Sequence, residues 1–400
     1  MKSFLAALLL FSFALIACAT SPLVLVSIDA FRWDYLKLHP DETPHLIALA
    51  HDGVTLRELI PVYPSNTFPN HYSIATGLYP SHHGIVNNIM FDAARGEYFH
   101  YNQIHSSGDP TWWGGEPIWV TAIRQGGNGA SWFWPGSEAA IGGVRPMIWH
   151  PYDPKLAFET RRDELIAWLR KVGIAKPTVA TFYLEEVNGI GHKFGPASPE
   201  LAAAVQQADE RIGNLDASLH AAGIDANLVI VSDHGMTPIS TARVILIDDY
   251  LDPATVQMDF DGPVAGLRPV GGNDVEHIMD AFTRLAHAKA YRAADLPARF
   301  HITANPRVPP VWIVPEEGWE IYTRKAFTAY SPKFNKGDHG FDNAFSSMHG
   351  IFIAHGPSFR RGVTLPPAEN IQIYNLLCAA LGLKPAPNDG DDRLVKSVLK

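Results

Sequence analysis

Three apolar-rich runs constrain this chain more than any other feature: Leu23 to Ile28, Thr178 to Leu184 and Leu228 to Ser232. None keeps the strict polar–apolar alternation of a strand with one wet face, so each reads as a strand buried on both sides. Helical segments separate them. Thr43-Pro44 predicts an N-cap with proline at the first helical position, then a helix to about His51. Pro117 to Gln125 and Phe158 to Val172 read as helices, and Ser198-Pro199 opens a long Ala-rich one to about Ala222. Ala130 to Trp134 and Ile351 to Ala354 add strands, and a helix near Ile371 to Leu381 closes the pattern. Buried strands separated by helices predict an α/β fold, a mostly parallel central sheet with helices on both faces. The stretch 253–335 departs from this pattern. It is mixed and Pro-containing, with short strand candidates such as Val311 to Val314, and reads as a smaller inserted cap region.

The first residues stand outside the fold. Lys2 precedes an almost unbroken apolar run from Phe4 to Ala17. That run has the length of a signal-peptide core and falls short of the roughly 20 residues a membrane span needs. Leu15-Ile16-Ala17-Cys18 resembles a bacterial lipobox, and cleavage before Cys18 would leave a lipid anchor there. Ordinary cleavage after Ala19 competes with it. The expected division is a signal peptide over 1–19 and a catalytic chain over 20–400. Its expected location is exported, periplasmic or secreted, and membrane-anchored if the lipobox is used. With 32 Lys+Arg against 41 Asp+Glu the formal charge is −9. Such a chain lacks the basic field that broad nucleic-acid binding needs, so no stable nucleic-acid complex is expected. Two cysteines make no disulfide framework, and Cys378, within the apolar stretch Ile373 to Leu383, reads as a core thiol.

In open α/β sheets ligands gather at the carboxyl ends of strands. Here the strand ends carry metal-ligating types: Asp29 after the first, Asp233-His234 after the third, and Glu185-Glu186-Val187-Asn188-Gly189-Ile190-Gly191-His192 after the second. One such ending is usually a loop residue or a cap. Three on one sheet point to a metal, and oxygen with imidazole donors suits zinc, manganese or magnesium, the histidines favouring zinc. Pro69 fits a first helical turn, which puts Thr67 and Phe68 at that helix's positive end, where backbone N–H groups could hold a phosphate oxygen. A threonine hydroxyl becomes a nucleophile when a metal lowers its pKa; otherwise Thr67 is a plain N-cap.

Thr67-Phe68-Pro69-Asn70-His71-Tyr72, Thr76-Gly77-Leu78-Tyr79-Pro80 and His83-Gly84-Ile85 resemble the active-site motifs of the nucleotide pyrophosphatase/phosphodiesterase family, within the alkaline phosphatase superfamily. Ser27-Ile28-Asp29-Ala30-Phe31-Arg32, Trp134-Pro135-Gly136-Ser137, Ser232-Asp233-His234-Gly235-Met236 and Asp338-His339-Gly340-Phe341-Asp342-Asn343 extend the match over nearly the whole mature chain. The resemblance implies an alkaline phosphatase-like fold, two zinc ions and a nucleotide or other small phosphodiester as substrate. It implies one zinc on Asp29, Asp233, His234 and the nucleophile Thr67, and the other on His192, His339 and position 188. It further implies that Asn88 and the Phe68 amide support phosphoryl oxygens, and that Phe68 and Tyr152 hold a nucleobase. The reaction implied is zinc-dependent hydrolysis of a phosphodiester or phosphoanhydride to a nucleoside monophosphate, through a phosphothreonyl intermediate.

One position departs. The family pattern has aspartate where this chain has Asn188. An amide oxygen can ligate but brings no charge. A working enzyme that tolerates asparagine, a phosphoester-binding pseudoenzyme, and deamidation of Asn188-Gly189 all fit the sequence. So does replacement of the lost carboxylate by Glu185 or Glu186. Phosphomonoester or choline-phosphodiester hydrolysis is the alternative activity on the same metal core. Trp112, Trp113, Trp132 and Trp149 read as packing around the cleft, Arg161-Arg162 as a solvated helix face, and His349 and His355 as supporting residues.

Overall fold

The computed structural model describes residues 21–400 apart from 172, 174 and 175. The expected signal peptide, both candidate cleavage sites and Cys18 lie outside the described residues, as does Val172. Every residue of strand β1 (Leu23–Ile28) is buried. Its side chains alternate between two cores: Leu23 and Leu25 enter one, Val24, Val26 and Ile28 the other. This double burial explains the unbroken apolar run, since each aliphatic side chain withdrawn from water contributes about 1.5–3 kcal/mol.

Seven further strands complete the large sheet: β2 (Val54–Leu56), β3 (Gly129–Trp132), β4 (Ile148–Trp149), β5 (Val179–Leu184), β6 (Asn227–Val231), β7 (Phe352–His355) and β8 (Val363–Leu365). Their order is β8-β2-β7-β6-β1-β5-β3-β4, and only β7 runs against its neighbours. Helices Thr67–Thr76, Ile118–Arg124 and Gln372–Ala380 cover one face, and Pro44–Asp52, Phe158–Leu169 and Pro199–Ala221 the other. The mostly parallel sheet with helices on both faces is as the apolar runs predict.

Local details differ. Thr43 precedes helix Pro44–Asp52 but makes no capping bond. Its hydroxyl donates to the His39 carbonyl instead. The free N–H groups of His45 and Leu46 go to Asp209, a buried carboxylate on the long helix Pro199–Ala221. Ser198, by contrast, caps that long helix as predicted, accepting from Leu201 N–H. Arg161 is not solvated: it is 1% exposed and donates to the Tyr183 carbonyl. Its guanidinium lies over the Phe133 and Phe182 rings, which the apolar face of helix Phe158–Leu169 packs against.

Within 253–335 a separate four-stranded antiparallel sheet is built from Val256–Phe260, Ala265–Pro269, Val311–Pro315 and Ala288–Arg292. It has its own apolar cluster, including Leu267, Ile278, Val311 and Ile313. No helix of the described residues is long and apolar enough to cross a membrane.

Candidate active site

Strand β1 lies between β5 and β6, parallel to both, so three carboxyl ends open on one edge. Asp29 follows β1 at once and Asp233-His234 lies just beyond β6. Ala30 takes a left-handed conformation, φ 58°, and its N–H donates to Asp233 Oδ1 at 3.2 Å. A non-glycine residue is rare there and costs of order 1 kcal/mol, here offset by the bond it makes to a site carboxylate.

Asp29, Asp233 and His234 are buried and bring one ligand atom each within 4.8 Å of one another. Thr67 is the first residue of helix Thr67–Thr76, behind Asn66 at the N-cap position. The N-cap role considered for Thr67 therefore does not hold. Its Oγ1 is 3.2 Å from His234 Nε2. Helix Glu186–Phe194 carries Asn188 and His192 one turn apart, and His339 follows the short strand Gly337–Asp338. The two sets adjoin: the rings of His234 and His339 stack at 3.6 Å, and those of His192 and His339 lie 5.0 Å apart.

Backbone carbonyls set the tautomer of all three histidines. His234 Nδ1 meets the Gly235 oxygen at 2.9 Å, His192 Nδ1 the Gly337 oxygen at 2.9 Å, and His339 Nδ1 the Ser65 oxygen at 3.1 Å. A carbonyl only accepts, so Nδ1 carries a proton in each ring and Nε2 is the nitrogen left for a metal, which in His234 would displace the proton that Asp233 favours there. Three oxygens await a partner as well. Asp29 Oδ1, Asp233 Oδ2 and Asn188 Oδ1 are buried without a hydrogen bond. Asp233 Oδ2 does lie 3.0 Å from His234 Nε2 and 3.2 Å from His71 Nδ1. The His71 proton, however, is aligned on the Thr67 carbonyl at 2.9 Å. An orphaned buried oxygen costs about 1–3 kcal/mol, and a cation in each set would satisfy them. Imidazole and oxygen donors without a thiolate fit zinc.

Without a cation the first set is electrostatically divided. Burial and the charge of Asp233 push the Asp29 carboxyl up to about 7. Burial opposes the charge of Asp233 too, but His234 and His71 outweigh it and hold that carboxyl well below the usual range. Burial likewise opposes the charge of His234, yet Asp233 raises it to about 9.

A cleft of about 660 Å³ runs past Asp29 and Thr67 to Asn188, His192 and His339. Phe68, Asn88 and Tyr152 also line it, Tyr152 at the rim and 49% exposed. The Phe68 N–H is not free for a phosphoryl oxygen: it donates to Asn88 Oδ1 at 2.8 Å. That bond turns the Asn88 Nδ2 donors away from it. Glu185 and Glu186 do not join the ligand atoms. Glu186 pairs with Arg211, and Glu185 lines the cleft 3.9 Å from Arg161. Of the tryptophans, Trp112, Trp113 and Trp132 are buried as predicted, Trp149 is half-buried under Arg145, and it is Trp134 that lines the cleft. His349 bonds Glu58 and the Asn343 carbonyl, and His355 bonds Asp52, in keeping with supporting roles.

Three residues were missed from sequence. His71 joins Thr67 to Asp233, Tyr183 donates to Asp29 Oδ2, and Asp338 stands with His192 and His339 in a second group of possible metal ligands. His71 and Asp338 lie inside quoted motifs, so adjacency to Thr67 and His339 was the signal available. Tyr183 gave none, because the sequence does not tell which sheet face its side chain shares with Asp29.

A family model described as type I phosphodiesterase/nucleotide pyrophosphatase matches residues 23–342. The chain is 39% identical over 391 residues to a venom phosphodiesterase of Crotalus durissus collilineatus, covering 95% of this chain and 46% of that protein. Ectonucleotide pyrophosphatase/phosphodiesterase family member 3 of Rattus norvegicus is 36% identical over 390 residues, covering 95% and 44%. The chain thus spans less than half the length of these relatives. Among solved structures, murine ectonucleotide pyrophosphatase/phosphodiesterase 5 superposes with a TM-score of 0.89 at 35% identity, over 95% of this chain and 100% of that one. An inactive Thr-to-Ala variant of that murine protein, in complex with AMP, superposes with a TM-score of 0.87 at 34% identity, over 95% of this chain and 100% of that one.

Proposed function

The chain belongs to the type I phosphodiesterase/nucleotide pyrophosphatase family, and from that premise we propose that it hydrolyses phosphodiester or phosphoanhydride bonds of nucleotides to a nucleoside monophosphate. The observation that carries this reading is Thr67 Oγ1, at a helix N-terminus and 3.2 Å from His234, in the cleft that links both ligand sets. Asp29, Asp233 and His234 would hold one zinc and His192, His339 and Asn188 the other. Bound zinc supplies Lewis acidity and makes the threonine hydroxyl, and then water, acidic enough to act near neutral pH. Thr67 Oγ attacks phosphorus as the bond to the leaving oxygen breaks, giving a phosphothreonyl ester of the nucleotide. Water then attacks the same phosphorus and Thr67 Oγ leaves. Asn88 Nδ2 donates to a non-bridging oxygen, whose charge grows in the transition state.

Phe68 and Tyr152 flank the place for a nucleobase, a reading supported by AMP in the murine relative. That relative's inactive Thr-to-Ala form supports the nucleophile. Residues 20–400 act as one catalytic domain with 253–335 as its cap. Relatives named as venom and ecto-enzymes support export of the chain, and the mass of the mature N-terminus would distinguish cleavage before Cys18 from cleavage after Ala19.

The neutral Asn188 favours one rival, a pseudoenzyme that binds phosphoesters without turnover. Hydrolysis of bis(p-nitrophenyl) phosphate in zinc separates the two. The purified chain should release nitrophenol, and Thr67→Ala should release none while melting at the same temperature. Turnover by the variant would remove Thr67 as nucleophile. Silence from both would favour the pseudoenzyme.

A further inference from the structure

We infer that Asp338 supplies the negative charge that Asn188 withholds from the second metal site. This rests on the two-zinc reading above. With Asn188, the set His192, His339 and Asn188 is neutral throughout, whereas the first site holds two carboxylates. A dication in a partly buried, uncharged set gains little to offset the hydration it loses there. The described residues contain one carboxylate grouped with both histidines, that of Asp338, with its oxygen and the two ring nitrogens mutually within 4.8 Å. Neither Glu185 nor Glu186 reaches this group.

The position of Asp338 is fixed. Its Oδ1 accepts the His339 N–H at 2.8 Å and lies 3.7 Å from His192 Nδ1. The Gly337 carbonyl holds that same Nδ1. Asp338 therefore stands on the Nδ1 side of His192, the side that the Gly337 carbonyl marks as proton-bearing, and His192 lines the cleft. A carboxylate this close to a ligating imidazole acts on the metal through its field, adding charge without occupying a coordination position. Asn188 Oδ1, buried and without a hydrogen bond, remains free as the neutral third donor. The charge is thus displaced from position 188 to position 338 rather than lost.

The test is zinc binding to the full chain, stripped of metal and titrated against a chromophoric chelator. Four proteins are compared: wild type, Asp338→Asn, Asn188→Asp, and the double variant. Wild type should take two zinc ions. Asp338→Asn should weaken the second by about 10–100-fold, the scale of removing one unit charge a few Å from the ion in a partly wet site. Asn188→Asp should restore it in the double variant, a rescue that a purely structural defect would not show and that also reports a folded protein. An unchanged second affinity in Asp338→Asn, or no rescue, overturns the inference. His192→Ala tests the underlying reading separately. If it still binds two zinc ions as tightly as wild type, the second site itself is wrong, whatever Asp338 does.

Discussion

Tyr183 sits at an interior position of β5, and its hydroxyl donates to Asp29 Oδ2. The other oxygen of that carboxylate, Oδ1, has no partner. The division leaves one oxygen fixed and one available, which is how a supporting group aims a ligand. Tyr183→Phe keeps the ring packing and removes the donor. Zinc affinity at the first site should fall about 10–100-fold, read by chelator competition. Burial already raises the Asp29 carboxyl to about 7, and the Tyr183 bond acts to lower it. Losing that bond raises it further, so zinc must displace a proton over a higher pH range. The loss should therefore be larger at pH 6 than at pH 8, and an equal loss at both would separate Tyr183 from the protonation of Asp29. Residues such as Asp29, Asp233 and His234 were legible because strand ends and motif spacing announce them. Tyr183 was not, because its role depends on which of two sheet faces it shares with Asp29.

Helix Pro44–Asp52 shows the same limit one level up. Its existence and start were plain from Thr43-Pro44, but its N-terminal groups are satisfied from elsewhere. Asp209, 163 residues from Leu46, receives that residue's N–H at 2.7 Å and that of His45 at 3.1 Å. A carboxylate at a helix N-terminus also meets the positive end of its dipole. Asp209→Ala would orphan two N–H groups at a buried seam between helices. Stability should drop by about 1–3 kcal/mol in urea unfolding. Turnover per folded molecule should stay near wild type, since the seam lies on the face of the sheet opposite helix Thr67–Thr76. A loss below half a kcal/mol would mean that the Thr43 side supplies the cap in solution. Helix boundaries read from local pattern were good to a few residues. Capping partners were not, because a folded chain can deliver a better acceptor than the local one.

Across the whole molecule, residues 253–335 gave the least information as sequence, and Arg307 shows why. Its guanidinium donates to Asp92 Oδ2 and the Gly84 carbonyl, both at 2.9 Å, and to the Thr111 carbonyl at 3.1 Å. It also bonds the Trp112 carbonyl and lies over the Trp112 ring. Nearby, Asn305 donates to the Ser81 carbonyl, and Phe300 stacks on Tyr63. These contacts tie 300–307 to segments on both sides of helix Thr67–Thr76, from Tyr63 before it to Ser81, Gly84, Asp92 and Trp112 after it. No local pattern encodes them, since the partners of Arg307 are some 200 residues away in sequence. Arg307→Ala should cost about 2–4 kcal/mol, because it strands a buried carboxylate and several carbonyls at once. The pH dependence has a definite sign. Burial works against the charge of Asp92, but Arg307 and the Ala94 and Arg95 N–H groups outweigh it and hold the carboxyl below its usual range. A depressed carboxyl contributes stability that is present above the unfolded pKa, near 3.9, and is lost as pH falls through the folded value. The wild type should therefore lose part of its advantage over Arg307→Ala between pH 5 and pH 2. Urea unfolding of both proteins across that range measures it. A gap that stayed constant would assign the fastening to the carbonyls and leave Asp92 a bystander.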